Sequence, residues 1–428
     1  PNVVLSTALG LLGPKQVDKA RLAVDSLIEL FAHSGLADSR DESFDLSQIA
    51  VSDEVRARFV GEETDPNGRA MIDAIKARGG RSLFVKFLDS LDGPATADAV
   101  LAAIATTIAW GPLMRKRISK NTARNLPWYL KVYATMIGAS ADGSKHQPER
   151  YCGVANEDLL NGWTVGEMAY LSLMGEQADA DSLYTFQVLT GLLTTNGPGS
   201  ISAQGCKGAV SSDGPQTPDR VQINKAMIGF MSHTGFSHGG AGYEGITFLV
   251  DSFKDTDLSE AGAADHGLDL DAMAKSYATQ YKKAKKAAKE SGAGRVGAIA
   301  GINHPVFKNK PVNHDPREVF ISELFAERED YNVFHDYYQK LVNELFQAGA
   351  TRNVFCVNID GVISALLLKM LWPRYRAGTL AESALESAAF TIFLYGRMIG
   401  CAAEIDDHIN RGKNMDTRTP APKLVMVS

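Results

Sequence analysis

The sequence predicts an all-α protein, and three observations carry that reading. Apolar residues recur at three- and four-residue spacing along most of the chain, strand signals are few, and the breaks fall at clusters of Asp, Ser, Gly and Pro. After Pro14, the residues Val17, Ala20, Val24, Leu27, Ile28 and Phe31 form one helical face, and Gly35 follows as a stop signal. Similar stretches cover residues 97–109, 165–173, 182–193, 220–231 and 382–402. Strands are expected only at 354–357 and 424–427. The breaks are 40–52, 61–68 and 138–148, and the last divides an amino-terminal helical region, 1–145, from a longer region, 146–428.

A chain of 428 residues exceeds one ordinary core, so two or three domains are expected. A net charge of −6 disfavours nucleic acid as the main partner, and an anionic ligand would then need a local basic patch. No uninterrupted run of about 20 apolar residues is present, so no membrane partner is expected. The apolar opening from Val3 to Leu12 lacks a basic flank and a small-residue cleavage site, unlike a signal peptide. A start at Pro1 rather than Met fits a processed chain or a piece of a larger one. Cys152, Cys206, Cys356 and Cys401 form no CxxC pair and read as buried, reduced thiols, which places the protein in the cytoplasm and argues against a metal.

Several motifs fail on context. Gly292-Ala-Gly294-Arg-Val-Gly297 matches GxGxxG, but a lysine-rich helix precedes it and Pro305 limits any helix after it, so it reads as a turn. His233 and His238 are five apart, poor spacing for two metal ligands on one helix face. HExxH and GxxxxGK[ST] do not occur. The lysines at 275, 282, 283, 285, 286 and 289 read either as a solvated helix face or as a patch for phosphates.

Three short segments place one ionisable side chain each among glycines or at an element end: Gly235-Phe-Ser-His238-Gly-Gly-Ala-Gly-Tyr-Glu244, Gly301-Ile-Asn-His304-Pro-Val-Phe-Lys308, and Asn353-Val-Phe-Cys-Val-Asn-Ile-Asp360-Gly. Singly, each has a plainer reading. A His beside Gly is commonly a turn residue, and Asp360 stands where it would cap a helix over 362–372.

Taken in order, the three segments resemble citrate synthase, with its PLHGGAN-like, GYGH-like and NVD segments, and the lyase module of ATP-citrate lyase, with its NVDG. Asp315-Pro316-Arg317 is similar to the family's DPR, Gly396-Arg397-Met-Ile-Gly400 to its RALG, and Arg418 to its tail arginine. The likeness extends over roughly 151–428. It implies an all-α citrate-synthase-like fold with a large and a small helical domain, the small one around 252–352, in a homodimer. It implies coenzyme A or acetyl-CoA as a substrate together with a ketoacid, joined or cleaved at a carbon–carbon bond, with no metal. His238, His304 and Asp360 would then be catalytic, Arg317, Arg397 and Arg418 would hold carboxylates, and Lys282, Lys286 and Lys308 would meet the phosphates of CoA.

Two departures bear on the substrate. Asn196, in Thr194-Thr195-Asn196-Gly197-Pro198, stands where the family has a His that meets oxaloacetate, and the late AH motif is Ala403-Glu404. An altered electrophile pocket is therefore expected. Two rival readings follow: a subunit of a larger ATP-citrate-lyase-like complex, and a CoA-binding module without turnover.

Overall fold

The computed structural model describes residues 2–41, 43–140, 150–194, 197, 199–213, 220–235, 238–292 and 296–411. Among these the architecture is helix on helix, and the single named sheet is the hairpin of Arg150–Tyr151 with Val154–Ala155. The expected strand at 354–357 reduces to isolated bridges, Val312 with Val354 and Ile302 with Val357. These residues join loops rather than extend a sheet. Residues 424–427 lie outside the described residues.

The periodic stretches become helices with identifiable ends. Residues Asp18–Phe31 bury Ala20, Val24, Leu27, Ile28 and Phe31, and Gly35 follows at φ +78. The Ala97–Met114 helix begins where the Thr96 hydroxyl accepts from Ala99 N. Val165–Met174 starts with a capping box between Thr164 and Glu167 and ends on left-handed Gly175. Each such cap contributes about 1 kcal/mol by satisfying amides that the first turn leaves open. The stretch at 182–193 is the Ala180–Leu193 helix, and the one at 220–231 starts later, at Ile223.

Two hydrophobic cores result. One gathers Phe31, Phe59, Phe84, Phe87 and Trp110 between residues 23 and 123. The other is larger and includes Leu5 and Leu9 from the first helix, Trp128 to Met136, and most apolar residues from 169 to 409. The Asn2–Gly10 helix packs on Ile223–Ser232, far along the chain. The Ala97–Met114 and Glu382–Arg411 helices each contain an 18-residue window apolar enough to cross a membrane by length and composition; 44% and 78% of those windows are buried inside the protein.

Of the cysteines, Cys206, Cys356 and Cys401 are buried free thiols, as expected, whereas Cys152 is exposed at the tip of the hairpin, with φ +48. The reason is local: its neighbours Tyr151 and Val154 pair in the hairpin, which leaves Cys152 and Gly153 to form the turn. The lysine-rich stretch is the Leu270–Ser291 helix, closed by left-handed Gly292. Residues 293–295 of the GxGxxG match lie outside the described residues.

Candidate functional site

The His304 and Asp360 segments are tied by main-chain bonds. Asn303 N donates to Cys356 O at 2.8 Å and Asn358 N to Gly301 O at 2.9 Å, while the Asn358 amide donates to Asn303 O at 2.7 Å. Gly301 is required twice over. Its φ is +79, and a Cβ there would lie 2.7 Å from the Tyr338 hydroxyl and 2.8 Å from the Gly361 Cα.

Asn358, not Asp360, caps the Ile359–Arg376 helix, its side-chain oxygen accepting from Asp360 N at 3.0 Å and Gly361 N at 3.1 Å. Asn358 takes that role because its backbone is extended while Asp360 is already helical. The Asp360 carboxyl is thereby left for other work in the first turn. Burial raises its pKa above the ordinary carboxylate value, against the nearby charge of Arg317 and together with those of Asp315 and Glu244.

Asp315 and Arg317 stand at the start of the Pro316–Glu327 helix. Asp315 is fully buried and caps it, and Arg317 returns Nε to Asp315 Oδ1 at 2.9 Å and Nη2 to Oδ2 at 2.7 Å. This fork is a charge-assisted pair with two parallel bonds. His304 stacks on Phe307 at 4.7 Å, and its Nδ1 accepts from Val306 N at 3.1 Å. Burial and then the Arg317 charge lower its pKa, so the imidazole is neutral at pH 7 with its proton on Nε2.

His238 belongs to a second cluster. Gly235 and His238 exchange main-chain bonds of 3.0 and 2.9 Å, just before the Ala241–Phe253 helix. A Cβ on Gly239, at φ +99, would meet the Phe393 ring at 2.5 Å. The His238 ring packs edge-on to that same Phe393 at 5.4 Å. Its Nε2 lies 2.9 Å from the Ser202 hydroxyl and accepts from Ser202 N at 3.3 Å. That hydroxyl in turn accepts from Arg397 Nε at 2.8 Å, so its own proton is directed to Nε2. An accepting Nε2 leaves the proton on Nδ1. Burial and the Arg397 charge push the His238 pKa down to about 4, so this imidazole is also neutral at pH 7.

Arg397 is 1% exposed and also donates to Thr194 O at 2.8 Å and the Ser200 hydroxyl at 3.0 Å. Glycines make room for it: Gly396 and Gly400 let the Thr190 and Thr194 carbonyls approach the helix closely. Five residues beyond Ser202, Lys207 forms a 2.9 Å ion pair with Glu404, the residue at the changed AH motif.

The two clusters meet through Ser364, whose hydroxyl lies 2.9 Å from Gly242 O and 2.7 Å from Asp360 O. It thus bridges the helix that follows His238 and the helix that carries Asp360. Of the residues predicted from sequence, the structure brings together His304, Arg317 and Asp360 in one cluster, and His238 and Arg397 in the other. Lys282 and Lys286 stand on the exposed face of the Leu270–Ser291 helix, with Lys286 3.8 Å from Glu290, and Lys308 is exposed on the loop after His304. Asn196 and Arg418 lie outside the described residues. Sequence reasoning missed Ser200, Ser202 and Ser364. A serine near a helix start carries no mark of a partner 122 to 197 residues away.

Cavities of about 590, 430 and 290 Å³ lie elsewhere; none is lined by His238, His304, Asp360, Arg317 or Arg397. Residues 195, 196, 198, 236 and 237 fall outside the described residues.

No protein-family model matches this chain, and no curated protein matches it. Solved structures do. The citryl-CoA lyase of Hydrogenobacter thermophilus is 17% identical, with a TM-score of 0.44 over 65% of this chain and 88% of that one. The ATP citrate lyase of Methanothrix soehngenii, in complex with citrate and coenzyme A, is 14% identical with a TM-score of 0.44. That of Methanosaeta concilii, in complex with (3S)-citryl-CoA, is 16% identical with a TM-score of 0.41. Each alignment to an ATP citrate lyase covers 79% of this chain and 55% of the other, so the chain spans about half the length of those two proteins.

Proposed function

We propose that the chain makes or breaks a carbon–carbon bond beside an acyl-CoA thioester, with acetyl-CoA and a ketoacid as the separated partners. The observation that carries this reading is the combination of one carboxylate with a raised pKa and two imidazoles held neutral in linked clusters. An α-proton beside a thioester is weakly acidic, so a carboxylate removes it only if the enolate oxygen meets a donor as charge develops. In this reading Asp360 takes the proton, and the Nδ1–H of His238 donates to the thioester oxygen. A neutral donor suits an enolate, because it stabilises the developing charge without having been charged in the ground state. His304 uses its Nε2–H to polarise the carbonyl of the electrophile, and Arg317 orients a carboxylate of that substrate while its fork to Asp315 fixes the guanidinium plane. In the reverse direction the same groups support cleavage of a citryl-CoA-type thioester, with Asp360 returning the proton to the departing acyl carbon.

The test uses acetyl-CoA in deuterated water, with and without a panel of ketoacids. Deuterium entering the methyl group, or free thiol released with one ketoacid, is the expected result. Neither exchange nor release across the panel, with CoA bound, leaves a binding module without turnover.

A further inference from the structure

The seam between the Ile201–Asp213 and Glu382–Arg411 helices is polar turn by turn, and its second turn holds two thiols. Ser202 meets Arg397 at 2.8 Å, Lys207 meets Glu404 at 2.9 Å, and Ser211 meets His408 at 2.8 Å. Between the first two lie Cys206 and Cys401, both free and fully buried. Cys206 Sγ is 4.0 Å from the Cys401 carbonyl oxygen, and the two thiols share a hydrogen bond. Each cysteine follows its helix's contribution to the His238 anchor by four residues, one helical turn, so the sulfurs sit directly above the Ser202–Arg397 contact.

We propose that Cys206 and Cys401 form a peroxide-driven disulfide that draws the two helices together and displaces Ser202, the anchor of His238. The chemistry balances with hydrogen peroxide as oxidant. The Cys401 thiolate attacks one peroxide oxygen, giving a sulfenic acid and hydroxide, which takes up the thiol proton to become water. The Cys206 sulfur then displaces the sulfenic hydroxyl, the S–S bond forms, and a second water leaves. Cys401 is the attacking group, because the Cys206 thiol proton is engaged by the Ala203 carbonyl oxygen at 3.1 Å. Burial raises the Cys401 pKa, but the hydrogen bond with Cys206 and the charge of Arg397 outweigh it and the net direction is down. Cys206 is held up by that same bond and by burial. A disulfide requires a sulfur separation of about 2.0 Å, so Cys206 Sγ must leave the Ala203 carbonyl oxygen, to which it donates at 3.1 Å beside Ser202. Because neither thiol is exposed, oxidation waits on local opening of the seam, and a small oxidant reacts where a bulky disulfide reagent does not.

The test treats the full chain with hydrogen peroxide and reads thiol count, intact mass, a peptide map and the imidazole nitrogen signals of His238, assigned by comparison with His238→Gln. Expected are the loss of two of the four thiols, a mass about two units lower and a Cys206–Cys401 crosslink. The His238 signals should move on oxidation and return with dithiothreitol, and Cys206→Ala and Cys401→Ala should each abolish crosslink and movement. A folded protein that loses thiols only at Cys152 or Cys356 overturns the proposal, as does a crosslink that leaves the His238 signals in place. The effect on catalysis rests on the acyl-CoA reading: methyl-proton exchange should fall about tenfold on oxidation. Absence of exchange in both redox states would refute that reading alone, since crosslink and signals are read without acyl-CoA.

Discussion

The His304–Asp360 half of the candidate site is fixed mainly by backbone, whereas the His238–Arg397 half is fixed mainly by side chains. In the first, main-chain bonds from Asn303 to Cys356 and from Asn358 to Gly301 hold two loops together, and Gly301 admits the close approach. In the second, a buried guanidinium and a serine hydroxyl stand between the helices and His238. Backbone bonds survive side-chain replacement, so the first half should tolerate substitutions in structure and lose only chemistry. Removing a partner in the second half leaves a buried donor unpaired, so structure and chemistry should fail together.

The largest expected effect tests the first half. Asp360→Asn should lower methyl-proton exchange by about 10²–10⁴-fold while CoA still binds in calorimetry. The raised Asp360 pKa means that its stability contribution is present below the unfolded pKa and lost as pH rises through the folded one. The Asn variant should therefore melt no lower than the parent at pH 7, and a marked drop in Tm would show that Asp360 is a structural group instead. Next comes Ser202→Ala, in the second half. It removes the acceptor for Arg397 Nε and the donor to His238, and should cost about 1–3 kcal/mol in urea unfolding and roughly tenfold in exchange. Loss of exchange at unchanged stability would remove the contrast between the halves.

A pH profile sharpens the same comparison at smaller cost in rate. Exchange should decline as pH falls through a midpoint above the ordinary aspartate value of about 3.9, because Asp360 must be ionised to act. No limb from His238 should appear between about pH 5 and 8, since its pKa is pushed down to about 4. An inflection in that range that vanishes in His238→Gln would contradict the neutral-donor role. The smallest effect belongs to the periphery: Lys282→Ala and Lys286→Ala should each weaken CoA binding only about two- to fivefold, with the difference shrinking as salt rises.

Helix existence and the short motifs were legible in the sequence, since a repeating apolar face and a glycine beside a histidine are local patterns. The start of the 223–232 helix, the exposure of Cys152 and the transfer of the capping role from Asp360 to Asn358 were not. Each depends on which neighbour a backbone group finds, and periodicity does not record that.

By itself, the sequence determined an all-helical chain in which His238, His304 and Asp360 sit at the ends of elements, because hydrophobic period and turn residues act over a few positions. Only the tertiary structure decided that Ser202 reaches His238, that Arg397 is turned inward onto Ser200, Ser202 and Thr194, and that Ser364 links the two clusters. Those contacts join residues up to 203 positions apart, and their energies depend on burial and on donor–acceptor geometry that exists only once the helices have packed.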